Sequence, residues 1–270
     1  MNFTNRHDCM QIRAISREYL AELLEKKERI DKRDFMSYRN ISISTGTIPH
    51  AEGSASVRLG DTYVLAGIKL DVGEPMKDKP DEGALTTLAE LLPLANAQYE
   101  EGPPSPEAVE FARVVDRGIR AADIIDMPAL FIEQGKVWNV YLDIYVLNYD
   151  GNLFDAGTLA GVAALLTCRM PKLENKEVIR EGNLPKLKTN GIVTSCTFAK
   201  VNETLLLDPN GNEEAFMNAR LTVANDETKI RAMQKGLSGY FTVQEIEKLI
   251  DISFEKSKAL RNIIQKAIGD

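Results

Sequence analysis

Hydrophobic and polar positions change their period several times along the chain, and those changes mark out its elements. Residues 12–29 carry Ile15, Leu20, Leu23 and Leu24 among Glu, Lys and Arg at near-helical spacing, which predicts a peripheral amphipathic helix with a solvated charged face. From Ile41 the period becomes two, through ISIST, SASVRL and TYVLAGIKLD, with Gly60-Asp61 as the tight turn that joins the last two into a hairpin. GEPMKDKPDEG reads as a loop, ALTTLAELLPLA as a further strand and YEEGPPSP as a loop leading to a helix. That helix has a marked start, with Ser105 as cap, Pro106 at the first helical position and Glu107 and Glu110 near the positive end of the dipole. It is expected to run to about residue 125, and Ala108, Ala112, Val115, Ile119 and Ala122 form its buried stripe.

Residues 136–148 alternate strictly, placing Trp138, Val140, Leu142, Ile144 and Val146 on one face of a long strand. Asp150-Gly151 then turns the chain into an apolar helix over 153–168, whose small residues Ala156, Gly157, Ala160 and Gly161 suit close packing on a sheet. Residues 171–190 read as a polar linker between two halves. Beyond it, GIVTSCTFAKV and TLLLDPNGNEEAFMNARLTVA supply strands, and MNARLTVA pairs with TKIRAMQK across the turn signal Asn225-Asp226. Thr242 and Glu245 form a capping box, with Phe241 and Ile246 as its hydrophobic staple, opening a helix to about residue 268. The division expected is therefore an N-terminal helical extension (1–32), a first domain (33–170), the linker (171–190) and a second domain with the closing helix (191–270).

Composition narrows the class. With 270 residues and 44% apolar content the chain can bury one large core or two moderate ones. Its three cysteines have no short spacing, which speaks against a disulfide framework or a CxxC metal site and for a reducing, cytoplasmic setting. Neither a signal peptide nor an apolar run long enough to span a bilayer is present, so no membrane partner is expected. His7 and His50 are the only histidines and neither has a ligand neighbour, so no metal site and no Ser-His-Asp arrangement is expected on them. EGSASVRLGDT lacks both the Walker and the dinucleotide patterns, and no cofactor is implied.

Two features carry candidate chemistry. The turn holding Asp208, Glu213 and Glu214 between two strands could hold a metal, steer a proton, repel a polyanion or simply be a solvated turn. The net charge of −7 does not suggest a nucleic-acid binder, but a local basic stripe can coexist with an acidic total. Arg113, Arg117 and Arg120 form such a stripe, lying within roughly 60° of one another on the helix. Arg113 has Glu110 and Asp116 within one turn, and Arg120 has Asp116 and Asp123. Arg117 has no acid at three or four residues and stands between two like charges, which makes it the strongest candidate for binding an anion.

RNISISTGTIPHAEGSASVRLGDTYVLAGIKLDVGEP, SPEAVEFARVVDRGIR, LNYDGNLFDA and LLLDPNGNEEAFMNARLTV occur here in an order that resembles the ribonuclease PH family. The resemblance runs from about Arg33 onward and is nearest to the non-catalytic ribonuclease-PH-like subunit of the archaeal exosome core. It implies an α+β ribonuclease PH fold (ribosomal protein S5 domain 2-like) of two βαβ-type halves sharing a core. It further implies a hexameric ring of three heterodimers with a catalytic ribonuclease-PH-like partner, RNA-binding cap subunits and single-stranded RNA, degraded from its 3′ end by phosphorolysis. Active members hold phosphate on a loop of the form Asp-Gly-Gly-Ser/Thr-Arg. The matching loop here is Asp150-Gly151-Asn152-Leu153-Phe154, which lacks both hydroxyl and guanidinium. Where active members carry two aspartates and a further acid, this chain has Asp208, Glu214 and Arg220. Losing a phosphate clamp removes several kcal/mol of transition-state stabilisation, so the resemblance implies a silent subunit with a degenerate remnant at Asp208 and Glu214. The alternatives are a divergent 3′-to-5′ exoribonuclease using Asp208 and Glu214, and a homo-oligomeric RNA-binding protein. Arg113, Arg117 and Arg120 would contact the RNA backbone.

Overall fold

The computed structural model describes residues 17–175 and 177–269; His7, Cys9 and the part of the first predicted helix that precedes Arg17 lie outside them. The described part of that helix is α1 (Arg17–Glu25). The period-two segments form a six-stranded sheet from β1 (Ile41–Thr45), β2 (Gly53–Leu59), β3 (Thr62–Gly73), β4 (Ala84–Leu91), β5 (Phe131–Glu133) and β6 (Lys136–Asn148). The strand order is β1-β2-β3-β6-β4, with β5 paired to β6. Leu59 pairs with Thr62, so β2 and β3 are joined by the two residues Gly60 and Asp61, and Gly60 takes a left-handed φ of 58°.

β4 and β6 are parallel neighbours, and parallel strands need a crossover, here made through α2 (Pro106–Ala121). Ser105 caps α2 by accepting from the Ala108 amide. The helix ends at Ala121, short of the expected residue 125. Asp123 takes a left-handed φ of 52°, and Ile125 pairs instead with Thr189 of the segment 171–190. That segment carries a small hairpin, β7 (Lys172–Glu174) with β8 (Glu177–Ile179).

The apolar stretch becomes α3 (Leu153–Leu166), in which every residue from Leu153 to Leu165 is buried. A helix apolar on all sides belongs inside a protein, and α3 lies against β2 and β3 of the first sheet, β9 of the second, and helix α2. A Cβ on Gly157 would stand 2.4 Å from Phe111 Cζ, so the α2–α3 contact depends on that glycine.

The second sheet, β10-β9-β11-β12, is antiparallel throughout. Its strands are β9 (Thr194–Val201), β10 (Thr204–Leu207), β11 (Ala219–Asn225) and β12 (Ile230–Gly236). A one-turn helix, α4 (Gly211–Glu214), separates β10 from β11, and α5 (Val243–Ile268) closes the chain behind the Thr242–Glu245 capping box. One hydrophobic cluster runs through both halves. A smaller one seats Leu20 and Leu24 of α1 against Val201 and Leu206, so the first described helix docks on the second half. Burial of each leucine contributes roughly 2 kcal/mol. No described helix is long and apolar enough to cross a membrane.

Candidate functional site

Two loops, one from each half, meet backbone to backbone. Gly151, with φ 79°, sits so close to residues 209–211 that a Cβ would fall 2.5 Å from the Pro209 carbonyl oxygen. Asp150 Oδ1 accepts from the Gly211 amide at 3.3 Å, and Thr62 Oγ1 donates to the Gly151 carbonyl at 2.6 Å. Asn152 takes a left-handed φ of 53° and caps α3 through its side chain, which is the role the short polar Asn side chain suits. Its amide donates to Glu214 Oε1 at 2.8 Å, and its Nδ2 donates to Asp208 Oδ1 at 2.7 Å and Asp155 Oδ2 at 2.9 Å. Asn152 thus ties three carboxylates together.

The acidic turn is not a solvated loop. Asp208 and Glu213 are fully buried, and three arginines from the segment between α1 and β1 neutralise them. Arg29 makes a two-pronged pair with Glu213, at 2.8 and 2.5 Å, and donates to the carbonyls of Leu207 and Asp208. Arg33 Nη1 lies 2.8 Å from Asp208 Oδ2. Arg39 donates its backbone amide and Nε to the same oxygen and Nη2 to Asp208 Oδ1 at 2.8 Å, then reaches Asp150 at 3.1 Å. Gly60 lets Arg39 pass, since a Cβ there would stand 2.6 Å from Arg39 Cδ. Burial pushes the Asp208 carboxyl up, but the hydrogen bonds and charge of Arg39, with Arg33, outweigh it and hold it below the ordinary carboxylate range. Sequence reading missed these arginines. They lie in a charged stretch that reads as surface, far from Asp208 in the chain, and no spacing rule connects the two.

Glu214 is engaged as well. Tyr149 donates to its Oε2 at 2.6 Å, and burial raises its carboxyl above the usual value despite Tyr149, Asn152, Arg220 and Arg39. Phe154 is buried, edge-on to Phe111 at 5.9 Å, and the Arg220 guanidinium stacks over its ring at 4.1 Å. The loop 150–154 therefore offers an inward-facing aromatic ring covered by an arginine, and the carboxylates around it accept hydrogen bonds from protein donors. A metal ion at Asp208 would have to displace Arg33, Arg39 or Asn152.

Asp155, in the first turn of α3, is fully buried and joins the halves. It accepts from Tyr38 Oη at 2.9 Å, the Thr197 amide at 2.9 Å and Thr197 Oγ1 at 2.8 Å. Burial nevertheless pushes its carboxyl up to about 6, against the hydrogen bonds of Asn152, Thr197 and Tyr38. A folded value above the ordinary one near ~4 means the folded chain holds this proton more tightly. Its contribution is full below about pH 4 and is lost as pH rises through about 6. Relative to Asp155→Asn, the native chain should lose about 3 kcal/mol of stability across that window, read from denaturant midpoints. A stability difference that stays flat across it would contradict the prediction. Asp208 is shifted the other way: its stabilisation is fully present above the ordinary carboxylate range and is lost as pH falls through its depressed value.

The arginine stripe lies on the exposed side of α2, where Arg120 takes the Asp116 partner that helix spacing suggests and Arg113 takes neither of its two. Glu110 pairs with Arg220 at 2.5 Å, and Asp116 pairs with Arg120 at 2.6 Å. Arg113, exposed, makes no ion pair or hydrogen bond among the described residues. Arg117 Nη1 donates to the neutral Gln234 Oε1 at 2.6 Å, across to β12. Arg120 also donates to the Leu85 carbonyl, so its guanidinium is committed within the first half. Arg113 and Arg117 are the two whose charge is left uncompensated.

Two sheets sharing one core, with a strand-to-helix loop of one half pressed on an acidic turn of the other, define the ribonuclease PH class of α+β proteins. The chain belongs to that 3′ exoribonuclease family: domain 1 matches over residues 37–171 and domain 2 over residues 191–256. Exosome complex component Rrp42 of Thermococcus gammatolerans is 46% identical over 261 residues, covering 94% of this chain and 96% of that one. The protein of the same name in Aeropyrum pernix is 44% identical over 261 residues, covering 94% and 95%. Among solved structures, a chain of the Archaeoglobus fulgidus exosome with RNA bound to the active site superposes with a TM-score of 0.86 at 39% identity, covering 91% of this chain and 96% of that one. A chain of an archaeal exosome core gives 0.83 at 37% identity, covering 92% and 96%.

Proposed function

We propose that this chain is a non-catalytic subunit of an archaeal-type exosome core. It alternates with a catalytic ribonuclease-PH-like partner in a hexameric ring of three heterodimers, beneath RNA-binding cap subunits and in the cytoplasm. There it shapes the neighbouring active site and guides single-stranded RNA into it for 3′-to-5′ phosphorolysis. The names and assemblies of its relatives support the setting. The observation that carries the silent role is the state of Asp208, both of whose oxygens already accept from Arg33, Arg39 and Asn152. A group that must position or protonate a leaving oxygen needs a free face toward the substrate. A loop that ends in Leu153 and Phe154 lacks the hydroxyl and the guanidinium that would clamp inorganic phosphate. The same two facts weigh against a self-sufficient exoribonuclease built on Asp208 and Glu214.

Arg113 and Arg117 are the residues we assign to the RNA backbone, with Arg120 adding charge from the next turn. Such contacts position a strand without reading its bases. The test is phosphorolysis itself. The purified chain given RNA and inorganic phosphate should release no nucleoside diphosphates, and the complex with its catalytic partner should release them. Release by the chain alone would overturn the proposal.

A further inference from the structure

Resting on that assignment of α2 to RNA, we infer that Arg220 is a positioning residue for the strand: by holding Glu110, it keeps Arg113 free to meet a phosphate. On an isolated helix Arg113 would share its charge with Glu110 and Asp116, each pair being favourable by a few tenths of a kcal/mol. Here both acids are engaged elsewhere, Glu110 by a tertiary partner and Asp116 by Arg120 of the same helix together with Thr87 of β4. Asp116 accepts from Arg120 Nε at 2.6 Å and from Thr87 Oγ1 at 2.9 Å, while Glu110 Oε1 accepts from Arg220 Nη2 at 2.5 Å.

The setting of Arg220 looks made for this grip. It lies on β11 opposite Gly236, where a Cβ would stand 2.7 Å from its Nη2, so β12 leaves room for the guanidinium. It is 9% exposed, and its Nε is buried with no hydrogen-bond partner. An unmet buried donor is costly, so the position calls for an offsetting interaction. Stacking over Phe154 at 4.1 Å supplies part of it and the ion pair with Glu110 the rest. Phe154 and Arg220 are two of the positions at which this chain departs from the active pattern of its family, and they touch. The ring that replaces the phosphate-binding guanidinium serves as the platform for the arginine that frees Arg113. The degenerate site and the RNA-facing helix are thus one connected device.

The experiment uses the ring assembled with its catalytic partner, without phosphate, and a fluorescently labelled oligoadenylate. Arg113→Gln should weaken binding several-fold and lower the slope of log affinity against log salt by about 0.7, the loss of one single-strand phosphate contact. Arg220→Met should do the same, because Glu110 is then released onto Arg113. Adding Glu110→Gln to Arg220→Met should restore both affinity and slope, and Arg220→Met should add nothing to Arg113→Gln. Glu110→Gln alone, which leaves the packing of Arg220 in place, should change neither quantity.

Arg220→Met binding like the native ring, a loss that Glu110→Gln fails to rescue, or a loss that adds in full to Arg113→Gln would overturn the inference. So would tighter binding by Glu110→Gln alone, since Glu110 would then still oppose RNA despite Arg220. If Arg113→Gln itself leaves affinity and slope unchanged, the assignment of α2 to RNA falls and takes this inference with it. A normal loss in Arg113→Gln beside an indifferent Arg220→Met defeats only the role of Arg220.

Discussion

Replacing Arg29 by methionine is expected to remove roughly 3–5 kcal/mol of stability, the cost of leaving one member of a buried ion pair without its partner. Both Arg29 and Glu213 have fully buried side chains, and the pair is two-pronged. Methionine preserves much of the volume but strips the Glu213 carboxylate of its two-pronged partner and the Leu207 carbonyl of its Arg29 donor in a place water does not reach, while the Asp208 carbonyl keeps Arg33 Nη2 at 2.8 Å. Against a typical total of about 5–15 kcal/mol, such a loss is large, and a lower denaturant midpoint at unchanged slope would report it. Glu213→Gln placed on top should recover part of it. The buried charge disappears, while the amide oxygen can still accept from the Asn210 amide, as Glu213 Oε2 does at 3.0 Å in the capping box of α4. A change below about 0.5 kcal/mol for Arg29→Met would mean that the segment between α1 and β1 does not clamp the acidic turn.

That clamp marks the limit of what the sequence reveals. The β2–β3 hairpin at Gly60-Asp61, the Ser105 and Thr242 caps and the alternation of β6 are written in neighbouring residues, and the chain adopts each of them. The family resemblance located the loop 150–154 and the turn at Asp208, and both lie at the junction of the halves. Local pattern could not say who neutralises the turn, because Arg29, Arg33 and Arg39 meet Asp208 and Glu213 only once α1 has docked on the second half. Helix spacing placed Asp116 beside Arg120 correctly, but it could not show that Arg113 is left without either of its neighbouring acids. Glu110 and Asp116 lie within one turn of Arg113, yet Arg220 and Thr87 on other elements, with Arg120, hold them instead. Arg117 looked isolated in sequence, and in the structure it leans on a neutral amide. Charge pairing within a helix contributes tenths of a kcal/mol, and a half-buried tertiary partner outbids it.

Reversing the two uncompensated charges should produce the largest functional effect. In the proposed ring, Arg113→Glu with Arg117→Glu is expected to weaken single-stranded RNA binding on the order of 100-fold at low salt, each lost charge-assisted phosphate contact being worth about 1.5 kcal/mol or more. The slope of log affinity against log salt should fall by about 1.4 for the two contacts, and the loss should be the same for oligoadenylate and oligouridylate. Phosphorolysis at limiting RNA should slow in parallel and recover at saturating RNA, because the substitutions remove binding and leave the partner's chemistry intact. Stability and assembly should hardly move. Both side chains are exposed, Arg113 breaks no bond of the fold, and Arg117 gives up one bond to Gln234. Unchanged affinity would return the stripe to an ordinary solvated helix face. A loss confined to the rate at saturating RNA would instead place these arginines at the partner's reacting centre, a different role from guiding the strand toward it.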